Sequence, residues 1–390
     1  MSRSIKYKAL TLACAISLFC AADVVVAKSK SGHKTTSDSV AFSFAFFGCN
    51  RLDKDGVKAT GSASTANVAQ LRESFKNIAD LPQLPRYVFL AGDVVKAKTP
   101  GTDVLAEQLS AWVELATNPK KNPLIKKGVP VVAFTGNHEL LVNKEDGNCK
   151  YAQCPNPPAY GYWTQFMASN PAHYDFIAGD NGPKQGGADG LLDDESQLSY
   201  SFRSKDVMFV VLNTDSYIDH DTIGDLPMNW LKQQLQAAQQ DAGVKHVFVM
   251  GHKPIQSGDS GGDPGDRTIR PEEAEAFYAL LGNPAGDGSA TKVRAYLAAH
   301  AHEWSYAPQL TVGQLNGTVP QIIAGNGGSP PSKSWTGSNA YFGYTLVEIA
   351  KSGAVMAKSY GRSIKDPYYD QKPGKTSLRE SYTLYAPANP

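Results

Sequence analysis

Three times in its first 140 residues the chain runs through a short apolar stretch and stops on a polar, glycine-containing turn, and this recurrence constrains the fold more than any other feature. Residues 40–47 end in Gly48-Cys49-Asn50-Arg51, residues 86–90 in Ala91-Gly92-Asp93, and residues 130–134 in Gly136-Asn137-His138-Glu139. Apolar, aromatic and β-branched runs of this length read as buried strands. Between them lie helical patterns. Val68, Leu71, Phe75 and Ile78 share one face behind a cap at Ser64 or Thr65, and residues 105–116 form the second. Strand, loop and helix repeated in this way predict an α/β fold, in which ligands sit beyond the carboxyl ends of the strands.

The pattern resumes after residues 145–200, whose glycines, prolines and aromatics read as long loops. Residues 206–213 and 246–250 are strands, the second ending in Gly251-His252-Lys253-Pro254. Residues 227–241 and 271–281 are helices. Residues 293–299 lead into His300-Ala301-His302, and residues 321–324 precede Gly325-Asn326-Gly327-Gly328. On an extended strand the two histidines of His-Ala-His would present both rings on one face, a metal-chelating arrangement. The strand at 344–349 and the tyrosines after it read as the closure of a second sheet.

The N-terminus stands apart from this pattern. Arg3, Lys6 and Lys8 precede an apolar run over residues 9–20, and small residues follow at Ala22 and Ala27. This is the signature of a signal peptide over residues 1–27, removed after Ala22 or Ala27, and the run is shorter than the ~20 residues of a membrane span. Residues 28–40 read as a flexible lead-in and residues 41–390 as one catalytic domain, secreted or periplasmic. Residues 1–27 carry three basic and one acidic side chain, so the remainder is near neutral at −1. With no basic run, a nucleic-acid-binding surface is not expected. Of the five cysteines, Cys14 and Cys20 fall in the leader. Cys149 and Cys154, close together in a polar loop, suit a small disulfide in an oxidising compartment. Cys49 is left unpaired.

Each motif alone has an ordinary reading: a turn, a helix cap, a satisfied buried histidine. Together, and in this order, they resemble the calcineurin-like metallophosphoesterase superfamily, which includes purple acid phosphatases. Its pattern is Asp-x-His, Gly-Asp, Gly-Asn-His-Asp/Glu, a lone His, then Gly-His-x-His. The last four read here as Gly92-Asp93, Gly136-Asn137-His138-Glu139, Gly251-His252 and Ala299-His300-Ala301-His302, within a resemblance spanning residues 48–349. It implies a four-layer sandwich of two mixed sheets flanked by helices. It also implies two metal ions, Fe, Zn or Mn, that share Asp93. Asn137, His252 and His300 would complete one metal and His302 would join the other. His138 would protonate the leaving group, with Glu139 either orienting it or serving as a helix first turn.

The first motif departs from the pattern. Where Asp-x-His is expected the chain has Gly48-Cys49-Asn50-Arg51. Cys49 either replaces the missing Asp as a thiolate ligand, an arrangement resembling the PhoD-type alkaline phosphatases, or is a buried free thiol. Asn50 offers an oxygen ligand or a hydrogen bond, and Arg51 a fork for phosphate oxygens or a surface cation. Gly325–Gly328 and Tyr341-Phe342-Gly343-Tyr344 loosely resemble purple acid phosphatases. Val94, Val95 and Lys96 follow Asp93, however, so the tyrosine of a purple iron site is missing. The expected activity is hydrolysis of a small phosphorylated substrate, a phosphomonoester first, by a hydroxide bridging the two metals. The alternatives are a phosphodiesterase acting on nucleotides or lipid headgroups, and a binding protein on the same scaffold.

Overall fold

The computed structural model describes residues 38–52, 68–144, 153–169, 181–218, 224–257, 267–333, 335, 339–364 and 373–387. The expected leader lies outside them, as do most of the lead-in and the cap expected at Ser64 or Thr65.

The chain enters a first sheet with β1 (Val40–Phe47), β2 (Val88–Ala91) and β3 (Val131–Phe134), all parallel. They are linked through α1 (Val68–Ala79), α2 (Asp103–Thr117) and α3 (Pro123–Lys126). Next come the short helix α4 (Asn137–Leu140), the hairpin of β4 (Leu141–Asn143) and β5 (Gln153–Pro155), and α5 (Pro157–Ser169). The second sheet takes β6 (Tyr200–Ser204), β7 (Val207–Leu212), α6 (Met228–Gln240), β8 (His246–Gly251), α7 (Pro271–Gly282) and β9 (Val293–Ala298). It is completed by β10 (Trp304–Ala307), the small hairpin β11 (Thr311–Val312) and β12 (Leu315–Asn316), and β13 (Gln321–Ala324). Three final strands, β14 (Tyr341–Ala350), β15 (Val355–Ser363) and β16 (Ser377–Tyr385), return to the first sheet. The sheet orders are β16-β15-β14-β1-β2-β3 and β10-β13-β9-β8-β7-β6.

Strand alternation explains the layers, because successive side chains point to opposite faces. In β1, Phe42, Phe44 and Phe46 meet Phe209, Phe248 and Met250 of the other sheet, whereas Ala45 and Phe47 face Leu71, Phe75 and Ile78 of α1. In the second sheet, Val210, Leu212, Val247 and Val249 turn outward onto Trp230, Leu231 and Leu235 of α6 and Phe277 and Leu281 of α7. Helix, sheet, sheet and helix therefore stack in four layers. Strands buried on both faces have no polar side to show, which is why they read as continuous apolar runs.

The structure differs from the sequence reading in three places. The region expected to be loops contains α5. Pro157 and Pro158 look like breakers, but the first helical turn has no amide partners to lose. Tyr160, Trp163 and Met167 at helical spacing bury the inner face. The C-terminal strands do not close the second sheet. They extend the first, where β14 runs antiparallel to β1 and covers what would otherwise be an open edge. His300-Ala301-His302 is a bend rather than a strand. His300 has φ 60°, so its ring and that of His302 point to different neighbours.

Glu195, fully buried, ties the 181–199 segment to its surroundings. It accepts hydrogen bonds from the Tyr160 hydroxyl, Asn213 Nδ2 (3.1 Å) and Ser199 Oγ (3.4 Å). Burial outweighs these donors and pushes its pKa from the usual 4.5 up to about 7. A carboxyl with a raised folded pKa favours the native state below its unfolded pKa, and that advantage is lost as pH rises through about 7. The expected loss between pH 5 and pH 8 is on the order of 2–3 kcal/mol. Urea midpoints across this range should fall in the wild type and flatten in Glu195→Gln; parallel declines would exclude Glu195 as the cause.

Candidate metal centre

The turns after β1 and β2 lie side by side. Cys49 N–H donates to Gly92 O (3.1 Å), Arg51 N–H to Asp93 O (2.8 Å) and Leu52 N–H to Val94 O (2.9 Å). The turn after β13 wedges against them: Gly48 N–H donates to Ala324 O (2.8 Å), Gly327 N–H to Gly48 O (3.0 Å) and Ser329 N–H to Cys49 O (3.0 Å). A Cβ on Gly327 would collide with Gly48 O, so glycine is required there by close approach. Strain concentrates in the same place. Cys49 (φ 59°), Arg51 (φ 52°), Asp93 (φ 52°) and His300 (φ 60°) all occupy the left-handed region. Each such residue costs of order 1–3 kcal/mol and is kept only where its surroundings fix it.

Two groups of potential ligands result, sharing Asp93. Ligand atoms of Cys49, Asp93 and His302 lie within 4.8 Å of one another, and so do those of Asp93, His252 and His300. Asn137 joins the second group, with its Oδ1 3.1 Å from His252 Nε2. Hydrogen bonding fixes the rings. His252 Nδ1–H donates to Ala91 O (2.7 Å) and His302 Nδ1–H to Pro330 O (2.7 Å), which leaves each Nε2 as a bare lone pair turned inward. His252 Nε2 then faces His300 Nδ1 at 3.0 Å and Asp93 Oδ1 at 3.1 Å. His302 Nε2 and Asn50 Oδ1 are buried without a partner. Converging acceptors and orphaned lone pairs are what a cation would satisfy, so the donor set fits two metal ions.

Electrostatics agree with that donor set. Burial lowers the pKa of His300, helped by His252, and takes that of His302 down to about 3, helped by Arg51; both rings are held neutral, the ligating form. Burial raises the Asp93 pKa, but His138, His252 and Arg51 outweigh it and keep the carboxylate ionised. Burial and then Asp93 push the Cys49 thiol up, against Arg51, so its thiolate requires an adjacent cation.

The remaining expected residues fall into distinct places. His138 lies beside the centre, its Nε2 3.8 Å from Asp93 Oδ2 and its Nδ1–H donating to Lys96 O, while its backbone N–H donates to Asp93 Oδ1 (3.1 Å). Burial and Arg51 lower its pKa. Arg51 pairs through Nε with Asp93 Oδ2 (3.1 Å) and keeps 16% of its side chain exposed. Asn50 is buried and donates from Nδ2 to Gly327 O (2.8 Å). Glu139 accepts from three backbone amides: Gly136 (2.9 Å), Asp93 (3.1 Å) and Val95 (3.2 Å). Its carboxylate therefore braces the loops that carry Asp93 and Asn137. Cys154 is buried in β5, whereas Cys149 lies outside the described residues.

Two supports were not singled out in the sequence. Gln153 Oε1 accepts from Asn137 Nδ2 (2.7 Å). Lys253, fully buried, pairs its ammonium with buried Asp215, while its backbone N–H donates to Thr214 Oγ1 (3.1 Å) and its carbonyl accepts from the Tyr296 hydroxyl (2.6 Å). These contacts fix the backbone beside His252. Asp215 comes three residues after the end of β7, close to a strand end as Asp93 is.

A family model for calcineurin-like phosphoesterases matches residues 61–304. A search of the curated proteins finds no match. Among solved structures, a purple acid phosphatase from yellow lupin (Lupinus luteus) seeds aligns at TM-score 0.52 and 14% identity, over 89% of this chain and 54% of that one. PhoD aligns at TM-score 0.52 and 14% identity, over 89% of this chain and 70% of that one. The chain thus spans about half the length of the lupin structure, and at this identity both likenesses concern the fold. The strand-end motifs, the four-layer sandwich and the match over residues 61–304 place this chain in the calcineurin-like phosphoesterase family.

Proposed function

We propose that this protein is an exported phosphomonoesterase working at a dinuclear metal centre. The observation that carries the reading is the pair of ligand groups hinged on Asp93: Cys49, Asp93 and His302 on one side, and Asp93, His252, His300 and Asn137 on the other. A shared carboxylate between two sets of neutral or thiolate donors suits a two-cation site. The metals would supply a nucleophilic water at neutral pH and neutralise charge developing on the phosphoryl group.

The protein's own residues divide the remaining work. Arg51, partly exposed beside Asp93, offers its guanidinium to terminal phosphate oxygens, which favours a monoester dianion over a diester. His138, its ring held through Nδ1–H by Lys96 O, keeps Nε2 on the side of the centre. Because burial and Arg51 lower its pKa, Nε2 must first take up a proton, from solvent or from the monoanion of the substrate's phosphate, before delivering it to the leaving oxygen. Asn50 Oδ1, buried without a partner, offers a further oxygen donor next to Cys49. Cys49 is assigned as a thiolate ligand because its sulfur, although packed in the apolar core between the sheets, lies within reach of ligand atoms of Asp93 and His302. Export and a Cys149–Cys154 disulfide rest on the leader signature and the oxidising compartment it implies.

The purified protein should contain about two transition metals per chain and cleave an aryl phosphomonoester faster than a bis-aryl phosphodiester. Faster diester cleavage would instead identify a phosphodiesterase. Cys49→Ser should retain the metal of the His252–His300 group and lose most of the other by inductively coupled plasma mass spectrometry. Unchanged metal content would identify Cys49 as a buried thiol only.

A further inference from the structure

The geometry points to Lys98 as a specificity-determining residue that recognises a second anionic group, a carboxylate or a phosphate, on the leaving alcohol of the substrate. The inference rests on the phosphomonoesterase reading above and names the class of ester the site prefers. Lys98 stands on the loop after β2 in the left-handed region, at φ 61°. A lysine gains nothing locally from that conformation, which glycine adopts without strain. The loop is fixed on both sides of it. Lys96 N–H donates to Leu52 O (2.9 Å) and Ala97 N–H to Gln108 Oε1 (2.6 Å), while Thr99 O accepts from Asn156 Nδ2 (3.0 Å). Lys96 O also accepts from His138 Nδ1–H. The result is a half-buried side chain directed at the centre, with Lys98 Nζ 3.2 Å from the outer end of the Asn137 carboxamide.

Lys98 and Arg51 approach the centre from different sides. Arg51 Nε meets Asp93 Oδ2 (3.1 Å), whereas the inner end of the Asn137 carboxamide lies 2.9 Å from Oδ1, with Lys98 beyond it. Arg51 is the cation for the transferred phosphoryl group. Lys98 shares its loop with the carbonyl that holds the His138 ring, and His138 passes the proton to the leaving oxygen. Burial and Arg51 lead in lowering the His138 pKa, and the Lys98 charge adds to them. An ammonium on this side meets whatever the leaving oxygen is attached to. A hydrogen bond between charged groups is stronger in a half-buried site than in water, so Lys98 separates an anionic substituent from a neutral one. The substituent it reaches lies within a few atoms of the ester oxygen.

The test uses the purified holoenzyme and three small phosphomonoesters. 2-Hydroxyethyl phosphate carries no second charge, 2-phosphoglycolate carries a carboxylate, and ethylene glycol bisphosphate carries a second phosphate. The wild type should favour a charged ester over the neutral one in kcat/KM. Lys98→Met should lower that ratio by about 10–100-fold, the range for one hydrogen bond between charged groups, and the ester whose ratio falls further identifies the group recognised. Lys98→Arg, which keeps the charge, should retain the preference. Lys98→Gly, at ease at φ 61°, should repeat the loss without lowering the urea midpoint. A wild type with no preference, or a preference that survives in Lys98→Met and Lys98→Gly, would overturn the assignment. Equal losses on all three esters, with falling metal content, would make Lys98 a brace for Asn137 and overturn it too. A wild type that cleaves none of the monoesters would overturn the phosphomonoesterase reading and this assignment with it.

Discussion

Asp93→Asn is expected to eliminate phosphoester hydrolysis while leaving the fold intact. Changes to partners that only orient a metal ligand cost about 10–100-fold, so losing the carboxylate shared by both ligand groups should exceed about 100-fold in kcat/KM. Retention of the fold follows from local geometry. Asp93 has φ 52°, a conformation that asparagine tolerates better than almost any residue with a Cβ. The asparagine oxygen can still accept from the His138 backbone N–H now bonded to Oδ1 (3.1 Å), and the backbone N–H of residue 93 still donates to Glu139. What disappears is the negative charge that Arg51, His138 and His252 surround. Rates on an aryl phosphate, metal content and a urea melt on the same preparation separate the possibilities. Wild-type turnover in the variant would remove Asp93 from the centre; lost turnover with a collapsed melt would reveal a structural role instead.

The parts of the molecule that were legible in the sequence share one physical property. Strands covered on both faces must be apolar throughout, and a chain leaving such a strand must bend sharply, so glycine and polar residues cluster at its end. That signature located Cys49, Asp93, Asn137, His252 and His300, which the structure gathers within one site. What the sequence hid depends on tertiary neighbours. The bend that separates His300 from His302 exists because the backbone is held between Ala299, whose N–H donates to His252 O, and Gly325, whose N–H donates to Glu303 O. Gln153 and Asn137 are 16 residues apart, and no pattern links them until a two-stranded hairpin does. The last three strands carry no mark of which sheet they join, because either edge would accept an alternating strand. Glu139 was a candidate on account of its neighbour His138, yet its oxygens are committed to the backbone.

That commitment leads to the second large effect, which concerns stability. Glu139 is fully buried and is the acceptor for the backbone amides of Asp93, Val95 and Gly136. Gly136 has no side chain with which to cap α4, so Glu139 alone closes the turn by reaching back to the amide of Gly136. Glu139→Ala strands three buried donors at once. At about 1–3 kcal/mol for each unsatisfied group, the expected loss is on the order of 3 kcal/mol or more, a large share of a domain's net stability. Burial and the nearby Asp93 charge raise the Glu139 pKa, which makes the charged form expensive and offsets part of that loss. Glu139→Gln should fall between the two, because one carboxamide oxygen can serve Asp93 and Gly136 while its NH2 group faces the Val95 donor. Denaturant midpoints of the metal-free proteins decide the matter, since metal binding would otherwise mask the difference. A Glu139→Ala protein with an unchanged midpoint but reduced turnover would mean that Glu139 acts through His138 after all; a lowered midpoint that corresponds to several kcal/mol of lost stability, with Glu139→Gln between, would establish it as the brace holding the Asp93 and Asn137 turns in register.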